Sequence, residues 1–323
     1  MKKINKKYII QIAIFVLFCF LTFYRLPYLV LKPGGIDDVS KQYKVENSNK
    51  LNGSVNTTYV VENQPNIPYY LYAKLRGYKI SKIKDEVIED LDFTRYIEKL
   101  MYDASISNSV YVAYKKAGKD IKISNLKQYI YINGNESSQL KVGDQLIKVN
   151  GEKLDTLDKI KEILNNIDGD YVSITYIRDN KEYTDEIKVL DIDGEKKLGI
   201  IPITIFDFET NPKITYKPDK NVFGPSGGAM MALSIYCSII DNDLLNGKKI
   251  AGTGEIYYNG LIGPVGSVDY KIRSAAKNKV DIFFVPKDNY EEAINTKNEY
   301  NLKIEIVSVD EFNDIVNYLE ENV

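Results

Sequence analysis

The most constraining segment of this chain is residues 224–228, Gly-Pro-Ser-Gly-Gly, which lead directly into an apolar run over residues 229–240. The spacing predicts that Ser226 lies at a helix N-terminus, where free backbone amides and the helix dipole stabilise developing negative charge. In hydrolases with a G-x-S-x-G motif, a histidine accepts the serine proton. This chain has no histidine. If Ser226 is a nucleophile, lysine is the usual replacement for the missing base.

Composition narrows the class of protein before any further motif is used. The 323 residues are 44% hydrophobic, which is enough for one large core or two modest ones. The chain has 43 basic and 45 acidic residues and a net charge of −2, so nucleic acid is not an expected partner. Cys19 and Cys237 form neither a disulfide framework nor a thiolate metal site, and without histidine we expect no metal and no other cofactor.

The N-terminus predicts a membrane anchor. Residues 1–7 contain four lysines, and residues 8–24 are apolar over a length that can cross the hydrocarbon core. The alternatives are a buried helix and a cleaved signal peptide, but the cleavage site of a signal peptide needs small residues and bulky ones stand here. The positive-inside rule then predicts a cytoplasmic basic tail over residues 1–7. A single-pass anchor of the cell membrane with its juxtamembrane segment follows over residues 8–31, and the remaining chain is expected to be extracytoplasmic.

The rest of the chain divides into three blocks, residues 36–118, 119–192 and 193–323. The first block alternates short β-rich runs with two helical stretches, the second of which ends at Gly118, where a C-terminal glycine is expected. It contains no motif that indicates a catalytic or binding site. We therefore expect an α+β scaffold in this part of the chain.

The second block resembles a PDZ domain of the bacterial protease type. The resemblance rests on Lys141-Val142-Gly143-Asp144, the strand and turn over residues 147–151, and the amphipathic helix over residues 157–165. It implies a groove that takes an extended peptide, usually a C-terminus, as an added strand beside a helix. One departure is the segment 131–135, which is polar where the family's carboxylate-binding loop is apolar and rich in glycine. The alternative is a generic small α/β domain with a Gly-Asp turn.

The third block resembles the proteolytic domain of the Lon-type serine peptidases. After residues 224–228 come Thr253-Gly254-Glu255, a G-x3-P-x-G turn over residues 260–266, a lysine that opens an alanine-rich helix, and a strand ending at Pro286. With the anchor and the second block, the whole chain resembles the PDZ-containing, membrane-anchored Lon-like peptidases of Gram-positive bacteria. The resemblance implies an α+β fold in which residues 36–118 form the first strands of the Lon-type domain, the PDZ domain is inserted, and an N-terminal transmembrane helix precedes both.

The resemblance places the family nucleophile on Ser226 and its lysine base on Lys271. The residues favour the same lysine, because Lys271 follows a glycine-rich turn where an amine can be buried, and burial lowers a lysine pKa. Thr253 matches a family threonine that orients the amine, although it could equally be a structural hydroxyl at a strand end. Glu255 is interpreted as structural, because a carboxylate beside the lysine would raise its pKa. Supporting roles in the loop are expected for Gly224, Gly227 and Gly228.

The predicted function is a membrane-anchored serine endopeptidase whose PDZ domain captures the ends of protein or peptide substrates. The sequence contains no G-x4-G-K-[ST] motif, so the expected activity is independent of ATP and suited to small, flexible or membrane-tethered proteins. The resemblance also implies a homohexameric ring. The alternative is a membrane-anchored PDZ adaptor without catalysis, a role that would not require both Ser226 and Lys271.

Overall fold

The computed structural model of the protein describes residues 6–83, 91–217 and 224–323. Most of the predicted basic tail, residues 1–7, lies outside these residues. The helix α1, Lys6–Phe23, is long and apolar enough to cross a membrane and is not buried inside the protein. At 1.5 Å per residue its 18 residues span about 27 Å, close to the roughly 30 Å of a bilayer's hydrocarbon core.

The first part of the chain supplies strands and two helices to the central domain. After α1 its elements are β1 (Tyr28–Asp38), β2 (Tyr43–Val45), β3 (Ser54–Asn63), α2 (Ile67–Leu75), β4 (Lys79–Lys82) and α3 (Leu91–Lys116). Asn66 caps α2 by accepting a hydrogen bond from the Tyr69 amide at 2.9 Å, which explains why the helix begins at Ile67.

The middle of the chain forms a separate sheet with its own core. Its elements are β5 (Asp120–Asn133), β6 (Gln145–Val149), β7 (Glu152–Lys153), α4 (Lys159–Asn165), β8 (Tyr171–Arg178), β9 (Lys181–Lys188), β10 (Leu190–Ile192), β11 (Glu195–Lys197) and β12 (Ile200–Asn211). The sheet order is β12-β5-β6-β8-β9. The strand β12 belongs to this sheet, so the sheet extends beyond residue 192, where we had placed the end of the block.

The last part of the chain returns to the central domain. Its elements are β13 (Ile214–Tyr216), α5 (Gly228–Ile239), β14 (Lys249–Gly252), β15 (Glu255–Ile256), β16 (Ile262–Gly263), α6 (Val268–Lys277), β17 (Ile282–Pro286), α7 (Tyr290–Glu299), β18 (Glu305–Val309) and α8 (Phe312–Asn322). The central sheet has the order β18-β17-β14-β3-β1-β4, so its strands come from both ends of the chain. The middle sheet is therefore an insertion, entered through β5 and left through the antiparallel neighbour β12.

The two faces of the central sheet are covered by different helices. The helix α5 is buried along its whole length in the main core, which also contains residues of α3 and α8. The amphipathic helix α6 buries Val268, Ile272 and Ala275 in a second cluster with residues of β14 and β17. Because helices lie on both faces, all five residues of β17 are buried. The segment 253–256 that leaves β14 thus runs beside the start of α5.

The inserted sheet is fixed to the central domain by its longest strand pair. One half of the β5–β12 pair builds the core of the insertion, with Ile130 and Leu198 among its buried residues. The other half packs Ile203 against Ile97 and Met101 of α3. Since α3 also contacts α5, the insertion and the serine loop are joined through one helix.

Candidate active site

Ser226 lies just ahead of the helix α5. The helix begins at Gly228 with Gly227 at the N-cap position, so Ser226 precedes the first helical residue by two positions. The Gly228 amide donates to the Pro225 carbonyl at 3.0 Å and closes a tight turn around the serine. Pro225 therefore precedes the first helical residue, and Ser226 lies within the turn.

Glycine is required at position 228 by the protein's own packing. A Cβ atom there would lie 2.6 Å from Ser105 Oγ and 2.7 Å from Ile256 Cγ2, distances that real Cβ atoms essentially never show. The space beside Gly228 is therefore filled by residues of α3 and β15. At Gly227 a Cβ would meet Thr57 Oγ1 of β3 at 3.0 Å. Gly224 adopts a φ of +84°, a left-handed backbone conformation that favours glycine because glycine has no Cβ atom.

Three polar side chains of α3 hold the serine loop and its neighbour strand. Ser105 Oγ donates to the Pro225 carbonyl at 3.2 Å, and Ser109 Oγ donates to the Gly228 carbonyl at 2.9 Å. Asn108 Nδ2 donates to the Ile256 carbonyl at 3.1 Å. The residues stand at i, i+3 and i+4, so they share one helix face. Sequence reasoning missed this face, although small polar residues at this spacing inside an apolar stretch of α3 were a visible signal.

Lys271 lies in α6 and is 4% exposed. Burial disfavours the charged ammonium and lowers the pKa of Lys271 from 10.5 to about 8, while Glu292 opposes this shift. The amine can therefore be neutral in a substantial fraction of molecules slightly above neutral pH. This is the property that a general base needs.

Thr253 connects the lysine to the serine loop. It is fully buried directly after β14, and its hydroxyl accepts a hydrogen bond from Lys271 Nζ at 3.1 Å. The same hydroxyl donates to the Ser226 carbonyl at 3.1 Å, and the Gly254 amide donates to that carbonyl at 2.9 Å. One threonine side chain thus fixes the amine of Lys271 and the backbone of Ser226 with respect to each other.

Glu255, which the sequence analysis interprets as structural, has a raised pKa in the fold. Burial raises its pKa from 4.5 to about 7, and a hydrogen bond with Tyr257 opposes the rise. Glu292, rather than Glu255, is the acidic residue that raises the pKa of Lys271. Glu255 therefore changes charge near neutral pH beside Thr253 without setting the protonation of the lysine.

The open space beside Ser226 is much smaller than the groove on the insertion. A cavity of about 70 Å³ lies beside Ser226 and includes Thr57, Ser105 and Met231 in its lining. A groove of about 770 Å³ lies on the inserted sheet. Within residues 6–83, 91–217 and 224–323, no group of three or more cysteine or acidic side chains is placed to hold a metal ion.

The groove on the insertion runs along the helix α4. Ile160 and Leu164 of α4 line one side, and residues 198–202, which lead into and begin β12, line another. Tyr258 and Asn259 of the loop after β15 also line it, so the central domain contributes to the same groove. The polar segment 131–135, which we had compared with a carboxylate-binding loop, is tied to the adjacent chain: Asn135 Nδ2 donates to the Leu198 carbonyl at 2.8 Å. The apolar, glycine-containing stretch that borders the groove is Leu198-Gly199-Ile200, which sequence reasoning missed.

The comparison with protein families identifies the C-terminal part of the chain. Residues 218–321 match the model of the Lon protease (S16) C-terminal proteolytic domain. Relatives include a Lon protease of Metamycoplasma arthritidis, 28% identical over 152 residues that cover 46% of this chain and 16% of the relative. Another is Lon protease 2 of Bacillus subtilis, 32% identical over 103 residues that cover 31% of this chain and 17% of the relative. The chain thus spans about a sixth of the length of these relatives.

Part of the chain is similar to the PDZ domain of an SdrC-like protein from Listeria monocytogenes, with 21% identity, a TM-score of 0.22, and coverage of 24% of this chain and 86% of that one. The predicted α+β class is confirmed: the protein has an N-terminal apolar helix, a C-terminal part that matches the Lon-type proteolytic domain, and a second sheet inserted between the strands of the central one. The predicted resemblance to Lon-type serine peptidases is confirmed as well.

Proposed function

We propose that this protein is a serine endopeptidase in which Ser226 is the nucleophile and Lys271 the general base. The observation that carries the proposal is the hydrogen-bonded connection from Lys271 Nζ through Thr253 to the Ser226 carbonyl, at a buried amine whose pKa is lowered to about 8. A buried lysine destabilises a fold, because burial removes water from its charged form. A role in proton abstraction would explain why a lysine is buried here despite this cost.

The proposed reaction proceeds through an acyl-enzyme. The neutral amine of Lys271 accepts the Ser226 hydroxyl proton while Oγ bonds to the peptide carbonyl carbon. The resulting ammonium returns that proton to the leaving amine as the C–N bond breaks. Water then adds to the acyl carbon and gives a proton to Lys271. The ammonium returns this proton to Ser226 Oγ as the ester C–O bond breaks, which releases the carboxylic acid product and restores the free enzyme.

The backbone around Ser226 supplies candidates for the oxyanion site. The Gly228 amide donates to Pro225 O, and the Ala229 amide donates to Gly254 O at 3.1 Å. Both amides are therefore occupied, which leaves the amides of Ser226 and Gly227 as the candidates. Their place at the N-terminal end of α5 adds the favourable field of the helix dipole.

The groove on the insertion is the proposed site for substrate ends. Apolar side chains of α4 and the stretch 198–200 suit an extended peptide that adds to the sheet. Gln128, which is 3% exposed, also lines the groove, and its Oε1 atom has no hydrogen-bond partner among the residues that the structure describes. A buried acceptor of this kind is costly unless a ligand donates to it. A peptide amide would supply that donor.

The proposed location and substrates of the enzyme are based on the apolar helix α1 and on the motifs of the sequence. The helix α1 would hold the protein in the cell membrane with the catalytic domain on the extracytoplasmic side, as the lysines of residues 1–7 favour. Without an ATP-binding motif in the sequence, the proposed substrates are small, flexible or membrane-tethered proteins that need no unfolding. Resemblance to the Lon-type peptidases supports a homohexameric ring as the working assembly.

The direct test is hydrolysis of casein by the full chain in detergent, compared with Ser226→Ala and Lys271→Arg. Both variants are expected to be inactive, because alanine lacks the nucleophile and a guanidinium stays protonated. Thermal unfolding of each variant controls for loss of the fold. Hydrolysis by Ser226→Ala at the wild-type rate would contradict the proposal, and a folded wild type that never cleaves would favour the adaptor.

A further inference from the structure

The helix α2 has an apolar face that the described residues leave exposed. Leu71, Tyr72 and Leu75 are 56%, 49% and 88% exposed. They stand at i, i+1 and i+4, so they fall within one arc of about 100° on the helix surface. Ala73, on the opposite side, is fully buried against the domain. An apolar face of this kind on a nine-residue helix calls for a partner.

This face begins beside the end of α1. Asn66 Nδ2, at the N-cap of α2, donates to the Thr22 carbonyl in the last turn of α1 at 2.8 Å. The Leu26 amide donates to the Pro65 carbonyl at 2.8 Å, so the chains leading away from α1 and into α2 are joined as well. If α1 crosses the bilayer, Thr22 lies near the hydrocarbon boundary and α2 starts at the level of the lipid headgroups.

The side chains around α2 suit such a layer. Residues 64–83 contain four tyrosines and four basic residues and no acidic residue; the first acidic residues beyond them are Glu62 and Asp85. The basic residues Lys74, Arg76, Lys79 and Lys82 are all exposed. Tyrosine is enriched at membrane interfaces, and basic side chains there are attracted to anionic lipid headgroups.

We propose that α2 is a second membrane contact, with Leu71, Tyr72 and Leu75 inserted into the bilayer surface next to α1. This inference rests on the membrane anchoring in the proposed function. A single helix leaves a domain free to swivel above the membrane, whereas two contacts fix which side of it faces the lipid. The α2 contact therefore sets the orientation of the catalytic domain relative to membrane-tethered substrates.

The absence of tryptophan from the chain allows a clean test. Single tryptophans are introduced as Tyr72→Trp and Leu75→Trp, with Tyr171→Trp on the exposed surface of β8 as the matched control and Phe15→Trp in α1 as the anchoring control. Each full-length variant is reconstituted into vesicles of phosphatidylcholine and phosphatidylglycerol whose acyl chains carry bromine both near the headgroup and near the methyl end, so that both depths of the bilayer are probed. Bromine quenches only a tryptophan that lies in the lipid.

The expected result is that Trp fluorescence is quenched in the Tyr72→Trp, Leu75→Trp and Phe15→Trp variants and unchanged in Tyr171→Trp. Quenching in Phe15→Trp without quenching in both α2 variants would overturn the inference and leave the anchor intact. Loss of quenching in Phe15→Trp as well would overturn the anchoring and the α2 contact together. If the α2 tryptophans are shielded from water but not quenched by bromine, another copy of the chain or another protein covers the face, and the lipid contact is wrong.

Discussion

The burial of Lys271 affects both the stability of the fold and the chemistry of this site. Its burial follows from its position in α6, whose buried side packs on the central sheet. The same burial lowers its pKa to about 8, so the group that costs folding free energy is also the one able to accept a proton. Thr253 supplies its hydrogen-bond acceptor, so the two residues should be tested as one unit.

Replacing Thr253 with valine tests whether the hydroxyl positions the proposed catalytic pair of Ser226 and Lys271. Thr253→Val removes the bonds to Lys271 Nζ and to the Ser226 carbonyl, while Thr253→Ser keeps both. A neutral hydrogen bond contributes about 0.5–1.5 kcal/mol, and two such bonds are lost, so we expect kcat to fall roughly 10- to 100-fold in the valine variant with KM little changed. The serine variant should restore activity. A valine variant that loses stability but keeps the wild-type kcat would show a purely structural hydroxyl.

Glu255 predicts a specific dependence of stability on pH. Its pKa in the fold, about 7, is above its ordinary value of 4.5, so between these values the folded protein binds more protons than the unfolded chain. Stability contributed by this group is therefore present below about pH 4.5 and is lost as pH rises to about 7. Glu255→Gln should remove this part of the loss, as seen by thermal unfolding at about pH 5 and about pH 8. An unchanged difference in Tm between the two pH values would contradict the assigned pKa.

At the scale of elements, the start of α5 depends on helix α3 behind it. Ser105 and Ser109 bind carbonyls on either side of Ser226, and the absence of a side chain at Gly228 allows this approach. The serine is therefore held by a helix that is more than a hundred residues away in sequence. Proximity of this kind comes from packing rather than from local sequence.

The substitution Gly228→Ala tests this close packing. The new methyl group would overlap Ser105 Oγ and Ile256 Cγ2, so the loop must shift, at a cost of about 1–3 kcal/mol. We expect lower Tm together with a large loss of activity. Gly266→Ala is the matched control, because a Cβ there meets nothing within 4 Å. Equal effects of the two substitutions would show that the packing at Gly228 is not what positions Ser226.

Sequence reasoning performed best where local pattern and chemistry coincide. The apolar run after the serine, the amphipathic helix α4 and the strand β17 were each predicted within a few residues of their observed bounds. The α3 side chains that hold the serine loop were missed, because their partners are backbone carbonyls that only the fold brings near. The apolar stretch 198–200 was missed for a related reason: it borders the groove only after β12 returns to pair with β5.

At the scale of the whole molecule, the groove of the insertion and the catalytic domain share a boundary. Tyr258 lines the groove, and its hydroxyl donates to Asp158 Oδ1, just before α4, at 3.3 Å. The loop that carries Tyr258 follows β15, which itself follows Thr253. A peptide bound in the groove would thus lie against a segment continuous with the catalytic site.

Blocking the groove should affect protein substrates more than short ones. Ile160→Asp places a charge in the apolar lining, so we expect kcat/KM for casein to fall about tenfold, equivalent to about 1.4 kcal/mol, with hydrolysis of a short fluorogenic peptide unchanged. Asn166→Asp, which adds the same charge at the exposed end of α4, serves as the control. Equal losses on both substrates would argue against substrate capture by the groove.

The central claim is that a neutral Lys271 activates Ser226. The most direct measurement is the rate at which a fluorophosphonate, a serine-directed reagent, labels the full-length protein as pH is varied, with the labelled residue identified by peptide mapping. Because the neutral amine is the active form and its pKa is about 8, labelling of Ser226 should rise about tenfold per pH unit below that value and level off above it. It should be absent in Lys271→Arg. Labelling at another residue, or labelling of Ser226 that is equally fast in Lys271→Arg, would contradict the account.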